Sequence, residues 1–335
     1  LGAQNSLGLV LQSLGKWSES ISPFLRCVSI NQEYADPHNN LGTSYLKLGD
    51  ISNALASYRA AVSIQSNFIE ARLNVATTLH TLKKLEDAEA ECRKILSSLP
   101  NNYGALNLLG VLAQQTDRPV LAEEFFNKAL KAKPKSPGTL SNLGNLLTES
   151  GHPEKAIPYC QTAIEIDSNF AAGHYNLGNA LRELERFEEA ANHYNKTLQI
   201  NSRFAEAYLN LGITYDKLGQ NRDAISQYQK ALVLRPHYSD AHTGIGHSLN
   251  KLGQFPEAKV SFDRGFRMKH GGSWWNAKTF EEGERNSIPN PDTPFRASTF
   301  KLQDNMDQLE YLVENGLIDR SFQRVVDRYQ TVCQE

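Results

Sequence analysis

A glycine that returns every 34 residues constrains this chain more than any other feature. The step joins seven glycines, and an alanine fills the one remaining slot. The series is Gly8, Gly42, Ala76, Gly110, Gly144, Gly178, Gly212 and Gly246. A fixed period of this length is typical of a repeat array, in which each repeat packs only on its neighbours. The register predicts eight units that begin at residues 1, 35, 69, 103, 137, 171, 205 and 239 and end near residue 270.

Each unit carries two helical patterns. Positions are counted from the first residue of each unit. Positions 3, 7, 11 and 14 are mostly small or apolar, as in Ala207, Leu211, Tyr215 and Leu218, and this spacing gives the apolar stripe of an amphipathic helix. Position 15 is glycine in five units, and we expect it to end the first helix because a helix C-terminus often passes through a left-handed residue.

The second helix of each unit carries two further marks. Position 20 is alanine in seven units and serine in the first, and position 24 is aromatic in six units and Cys92 or Cys160 in the other two. Small residues at positions 8 and 20 predict a close helix pair, with the side chain at position 24 filling the space beside it. Both cysteines are therefore interpreted as small core residues.

These residues together resemble the tetratricopeptide repeat over residues 1–270. The resemblance implies an all-α fold, a right-handed superhelix (α-solenoid) of helix-turn-helix repeats whose first helices line a concave groove. Departures from the pattern are confined to single slots, namely Ser20, Cys27, Ile95, Thr197 and Gly265, and to the closing proline, which five units lack.

The period is lost after residue 270. Residues 271–300 are rich in Gly, Pro, Asn and Ser and predict an irregular connection. Its aromatic residues Trp274, Trp275, Phe280 and Phe295 are expected to cover the end of the eighth unit, since a terminal repeat needs a cap. Residues 301–335 show two more apolar stripes and predict two helices. Because the chain begins inside a repeat and ends on a helical pattern, we expect the natural protein to be longer.

Asparagine recurs at position 6 of the first helix, opposite the apolar stripe. It occupies five units, as Asn40, Asn74, Asn142, Asn176 and Asn210, and Asn145 and Asn179 follow two of these by three residues on the same helix face. A side-chain amide both donates and accepts, so such a column can pair with the backbone of an extended peptide. The column resembles that of the superhelical region of O-linked N-acetylglucosamine transferases, which implies peptide binding by these amides. The alternative is that each asparagine bonds the backbone of the neighbouring unit.

Composition and spacing exclude several other functions. The formal net charge of -2 offers no global attraction for nucleic acid or an anionic membrane. The sequence shows no apolar run long enough to span a bilayer, and residues 1–11 lack the charged region and cleavage site expected of a signal peptide. The four cysteines and nine histidines lack metal-binding or catalytic spacing, so no cofactor is expected. His38, His174 and His242, at position 4, are interpreted as packing residues. A reducing, cytoplasmic compartment is expected.

Two functions follow from this pattern. The first is a non-catalytic scaffold that binds an extended segment of another protein, with Tyr175 and His247 as supplementary groove residues. The second is the substrate-recruiting arm of a larger enzyme, a 2-oxoglutarate/iron dioxygenase or a glycosyltransferase, whose catalytic domain would follow Glu335. A basic clamp for a C-terminal carboxylate is disfavoured, since the groove positions hold few cations. Exposed faces of terminal repeats also allow self-association.

Overall fold

A computed structural model describes residues 1–270, which form sixteen α-helices in eight pairs. The first helices of the pairs are α1 (Gly2–Ser13), α3 (Ala35–Lys47), α5 (Ile69–Thr81), α7 (Tyr103–Gln115), α9 (Pro137–Glu149), α11 (Ala171–Glu183), α13 (Ala205–Lys217) and α15 (Ser239–Lys251). The second helices are α2 (Trp17–Ile30), α4 (Ile51–Ile64), α6 (Leu85–Ser98), α8 (Pro119–Ala132), α10 (Pro153–Ile166), α12 (Phe187–Ile200), α14 (Asn221–Leu234) and α16 (Phe255–His270). The predicted all-α array of eight units is thus confirmed.

The helices stack in chain order. Each second helix packs on the first helix of its own unit and on the first helix of the next unit. First helices of successive units also touch, most weakly between α3 and α5, which the Asn74–Asn39 hydrogen bond joins. Second helices of successive units make at most marginal contact. The first helices therefore lie on the inner side of the stack and the second helices on its outer side.

The residue at position 15 ends the first helix in every unit. The five glycines there have φ between 72° and 81°, which is the left-handed region that glycine enters without strain. Lys83, Asp117 and Glu185 hold the same position in the other three units at φ of 60°, 56° and 57°. The prediction for position 15 is confirmed. The three residues other than glycine adopt the same left-handed conformation at a cost in free energy.

The two helices of a unit touch at position 8. A Cβ placed on Gly42 would lie 2.7 Å from the Tyr58 ring, and one placed on Gly178 would lie 2.8 Å from the Tyr194 ring. Both aromatic rings are buried to about 1% exposure or less. Glycine at position 8 and the aromatic residue at position 24 are therefore complementary, as expected from the sequence.

The cysteines Cys27, Cys92 and Cys160 are buried and unpaired. Burial raises the pKa of the Cys92 and Cys160 thiols to about 12. The thiolate is the reactive form of cysteine, so these two side chains act as core residues, as the repeat register predicts.

Several sequence predictions fall outside residues 1–270. They concern the aromatic residues Trp274, Trp275, Phe280 and Phe295, the irregular segment 271–300, the two helices in residues 301–335, and Cys333. These predictions, with the domain boundaries that depend on them, stay predictions. In the part of the chain that is described, no helix has the length and apolar character needed to cross a membrane, and no cluster of metal-binding side chains occurs.

Candidate peptide-binding groove

The asparagine column lies on the first helices, along the inner side of the stack. Four of its five members share one hydrogen bond, in which the amide Nδ2 donates to the residue at position 5 of the preceding unit, 35 residues earlier. The bonds join Asn40 to Asn5 (3.2 Å), Asn74 to Asn39 (2.9 Å), Asn176 to Ser141 (2.8 Å) and Asn210 to Tyr175 (3.0 Å). The column therefore links successive units, mainly through side chains and once also through a backbone oxygen, that of Ser141.

Asn142 departs from this rule. Its counterpart in the preceding unit, Asn107, already accepts a hydrogen bond from the Thr139 hydroxyl at 2.8 Å. The half-buried Asn142 amide makes no hydrogen bond to Asn107 or to any other described residue. Both its donor and its acceptor are open to a ligand.

Asn145 lies one turn further along α9. Its Nδ2 donates to Glu149 Oε1 of the same helix at 3.0 Å, and the other oxygen of Glu149 accepts from Gln114 at 2.5 Å. The side-chain oxygen Oδ1 of Asn145 accepts from no other described residue. Asn142 and Asn145 thus present three unengaged hydrogen-bonding groups on one helix face, two acceptors and one donor.

Asn179 belongs to a network that joins two units. Its Oδ1 accepts from the Tyr194 hydroxyl at 2.8 Å and from the Asn210 Nδ2 at 2.9 Å. Burial raises the pKa of Tyr194 and of Tyr175, so both phenols stay protonated at neutral pH. The oxygen of Asn179 is fully engaged, and its Nδ2 is left as a donor for a ligand.

Asn210 lies deeper than the sequence pattern indicates. It is only 8% exposed, because its amide turns towards Tyr175 and Asn179 of the preceding unit. The Tyr175 ring packs on Phe204 with centroids 4.7 Å apart. Tyr175, expected as a supplementary groove residue, is half-buried and holds Asn210 in place.

The column ends at the last unit, where position 6 is Gly244. At this junction a different pair joins the units, since the Ser248 hydroxyl donates to Asp216 Oδ1 at 2.7 Å. His247, the other supplementary groove residue, is half-buried and packs edge-on against Phe262 with centroids 5.0 Å apart.

The histidines at position 4 lie at the packing interface between units. The Nε2 atoms of His38, His174 and His242 lie 3.3–3.4 Å from the backbone oxygen at position 32 of the preceding unit. Their interpretation as packing residues fits this placement.

The sequence does not predict the role of the residues at position 5, which accept hydrogen bonds from the column. These are the acceptors Asn5, Asn39, Ser141 and Tyr175. A signal for them exists, because each is a polar residue 35 positions before an asparagine of the column.

The geometry defines a class of protein, an α-solenoid of stacked helix pairs. Family models described as the tetratricopeptide repeat, or TPR repeat, match residues 35–68, 103–136, 137–170, 178–219 and 205–238. The chain is a tetratricopeptide-repeat protein. Such repeats indicate a scaffold for interaction with other proteins.

Solved structures are similar in fold. The crystal structure of the APC/C hetero-tetramer Cut9–Hcn1 has a TM-score of 0.67 and 19% identity, over 72% of this chain and 48% of that chain. A tetratricopeptide repeat protein from Parabacteroides merdae has a TM-score of 0.55 and 16% identity, over 75% of this chain and 97% of that chain. The chain thus matches about half of the first structure. No curated protein matches the sequence.

Proposed function

We propose that the inner surface of the first helices binds an extended segment of another protein, and that the asparagine amides pair with its backbone. The observation that carries this proposal is the Asn142 amide, which is half-buried on the inner side and has no partner among the described residues. A peptide that covers this amide would bury it, and buried polar groups are normally hydrogen-bonded. A peptide backbone supplies both the donor and the acceptor that this amide lacks.

The next unit supports the same proposal. The Asn176 Nδ2 is engaged with Ser141, which leaves its Oδ1 as an acceptor, while Asn179 has an engaged oxygen and leaves its Nδ2 as a donor. An acceptor and a donor one helical turn apart match the alternating N–H and C=O groups of an extended chain. The proposed site therefore centres on Asn142, Asn145, Asn176 and Asn179. Asn40 and Asn74 extend it through their side-chain oxygens, Oδ1.

Asn210 has a different role in this proposal. Its amide is buried in the link between units, so we assign it to holding Tyr175 and Asn179 rather than to direct contact with a peptide.

The tetratricopeptide-repeat fold is typically a non-catalytic scaffold, and we propose binding without catalysis for this chain. The alternative, an arm that recruits substrates for a dioxygenase or a glycosyltransferase, would use the same groove. Both versions predict the same contacts in residues 1–270.

To test this, the 335-residue chain is used as the target to select binders from a displayed library of random peptides. The affinity of each selected peptide is then measured by fluorescence anisotropy. The double variant Asn142→Ala/Asn145→Ala removes no hydrogen bond between units, so its circular dichroism should match the parent. We expect at least about tenfold weaker binding, since each hydrogen bond contributes about 0.5–1.5 kcal/mol.

The matched control is Gln161→Ala on the exposed surface of α10, which should bind as the parent does. Unchanged affinity of the double variant for every selected peptide would remove the asparagines from the proposed function.

We also propose self-association through the first unit. Leu7 of α1 is 46% exposed, whereas Leu41 at the same position of the next unit is only 5% exposed. Light scattering should give a mass above that of one 37.4 kDa chain, and Leu7→Lys should return it to one chain. A monomeric parent would contradict the proposal.

A further inference from the structure

A cleft of about 750 Å³ lies on the outer side of the stack, between α12 and α14. His174 of α11 and Tyr208 of α13 line it, together with residues of the two second helices. These include His193 and Lys196 on α12 and Gln227 and Lys230 on α14. Its volume is within the usual range for ligand sites. Most of its lining residues lie on the second helices, and none belongs to the asparagine column.

The charge of this cleft is unbalanced. None of its lining residues is Asp or Glu, and it contains two lysines. Lys196 makes no hydrogen bond or ion pair with another described residue. Lys230 reaches only the neutral Gln227 oxygen at 3.4 Å and the face of the Tyr208 ring, 5.7 Å from its centroid.

In unit 3 a carboxylate occupies the position that His193 holds in unit 6. There, positions 4, 23 and 26 are Arg72, Glu91 and Lys94, and both cations bond the carboxylate of Glu91 at 2.7 Å. In unit 6 the same positions are His174, His193 and Lys196. Replacement of the central carboxylate by an imidazole leaves Lys196 without its internal counter-ion.

The histidine pair shows where a proton can be added. The His174 Nε2 lies 3.3 Å from the Ser168 carbonyl oxygen and must donate to it, because a carbonyl oxygen only accepts. In its neutral form, His174 therefore accepts at Nδ1 from the Nδ1–H of His193, 3.1 Å away. The remaining nitrogen of His193, Nε2, is the atom at which this ring becomes a cation.

We propose that the outer cleft between α12 and α14 binds an acidic peptide segment of a partner protein, whose carboxylates replace the counter-ion that Glu91 supplies in unit 3. Lys196 and Lys230 pair with the carboxylates from the two walls. The amides of Asn192, Asn195 and Gln199, which also line the cleft, can bond the peptide backbone. These amides and the pair of lysines on opposite walls favour a segment of chain over a single small anion.

Binding should depend on pH through His193. Burial and the neighbouring His174 lower the pKa of His193, while Glu189, itself paired with Arg186, opposes them. The other groups around the ring are Lys196 on α12, Tyr208 on α13 and Lys230 on α14. A bound polyanion raises the pKa of His193 relative to the free protein, so affinity increases as the pH falls from about 8 to about 6.

The test uses the 335-residue chain and fluorescent hexaglutamate, with anisotropy at low salt. His193→Glu places at position 23 the carboxylate that Glu91 supplies in unit 3, next to Lys196 at position 26. We expect at least about tenfold weaker binding for His193→Glu and for Lys196→Gln/Lys230→Gln. The control Lys94→Gln/Lys128→Gln makes the same charge change at lysines that already have internal partners, and it should bind within about twofold of the parent.

The outcomes are separable. Loss of binding in both test variants but not in the control, with hexaglutamine inactive, supports the acidic-peptide site. Binding that is equal in all variants would overturn it, as would binding of inorganic phosphate alone with no affinity for hexaglutamate, which indicates a small-anion site. If His193→Glu does not fold, the exposed lysine pair decides the question alone.

Discussion

Replacing Gly110 by alanine is expected to destabilise the chain by about 1–3 kcal/mol. A Cβ at this position would lie within 2.9 Å of three atoms of the fully buried Phe126 ring. Real Cβ atoms do not approach so closely, so α7 and α8 must move apart or the ring must leave its rotamer. Because a repeat contacts only its neighbours, hydrogen exchange should accelerate mainly in units 3 to 5.

The matched control is Gly138→Ala in α9. A Cβ there meets nothing within 4 Å, and alanine is the better helix former by about 1 kcal/mol. The same substitution should therefore be neutral or stabilising at Gly138 and destabilising at Gly110. Equal effects at the two sites would show that the helices of a unit are not in the close contact described above.

Unit 3 suggests a second substitution that should reduce the loss of stability caused by Gly110→Ala. This unit holds alanine at position 8 and cysteine at position 24, as Ala76 and Cys92, and both are fully buried. The double variant Gly110→Ala/Phe126→Cys should thus lose less stability than the sum of its two single variants. A coupling of about 0.5–3 kcal/mol is expected for residues in direct contact, and strict additivity would contradict the proposed complementarity.

Asn210→Ala is expected to destabilise the chain by about 1–3 kcal/mol, since it leaves the Tyr175 hydroxyl and the Asn179 oxygen without one of their partners in a buried site. The loss should appear as faster hydrogen exchange in α11 and α13, the two helices that the amide joins. Chemical denaturation followed by circular dichroism gives the overall change.

Asn142→Ala provides the comparison at the same repeat position. It breaks no hydrogen bond to another described residue, so its stability should stay within about 0.5 kcal/mol of the parent. A large loss for Asn142→Ala, or no loss for Asn210→Ala, would mean that the two asparagines do not differ in the way their hydrogen bonds indicate.

The sequence predicts the architecture closely. Seven of the eight unit boundaries coincide with the first residue of a helix, as at Ala35 and Pro137. The reason is physical, because each unit repeats the same apolar stripe, the same helix end at position 15 and the same small residues at positions 8 and 20. Local signals repeated eight times reinforce one another.

The site is predicted less completely. The repeat register places Asn142 and Asn210 at equivalent positions, but it does not show which amide atoms are already engaged. That depends on position 5 of the preceding unit, which changes from Asn39 to Asn107 to Tyr175 along the chain. Asn107 bonds Thr139 and not Asn142, and no property of Asn142 itself predicts this. Contacts between units therefore had to come from the structure.

The measurement that tests the central proposal most directly compares one selected groove peptide with its backbone N-methylated copies. N-methylation removes single N–H groups and keeps every side chain, so it isolates backbone pairing from side-chain recognition. We predict that methylation of one or two residues in the middle of the peptide weakens binding to the parent chain by at least about tenfold, and that the same change has little further effect on the Asn142→Ala/Asn145→Ala variant. An N-methylated peptide that binds the parent as tightly as the unmodified one would contradict backbone recognition by the asparagine column.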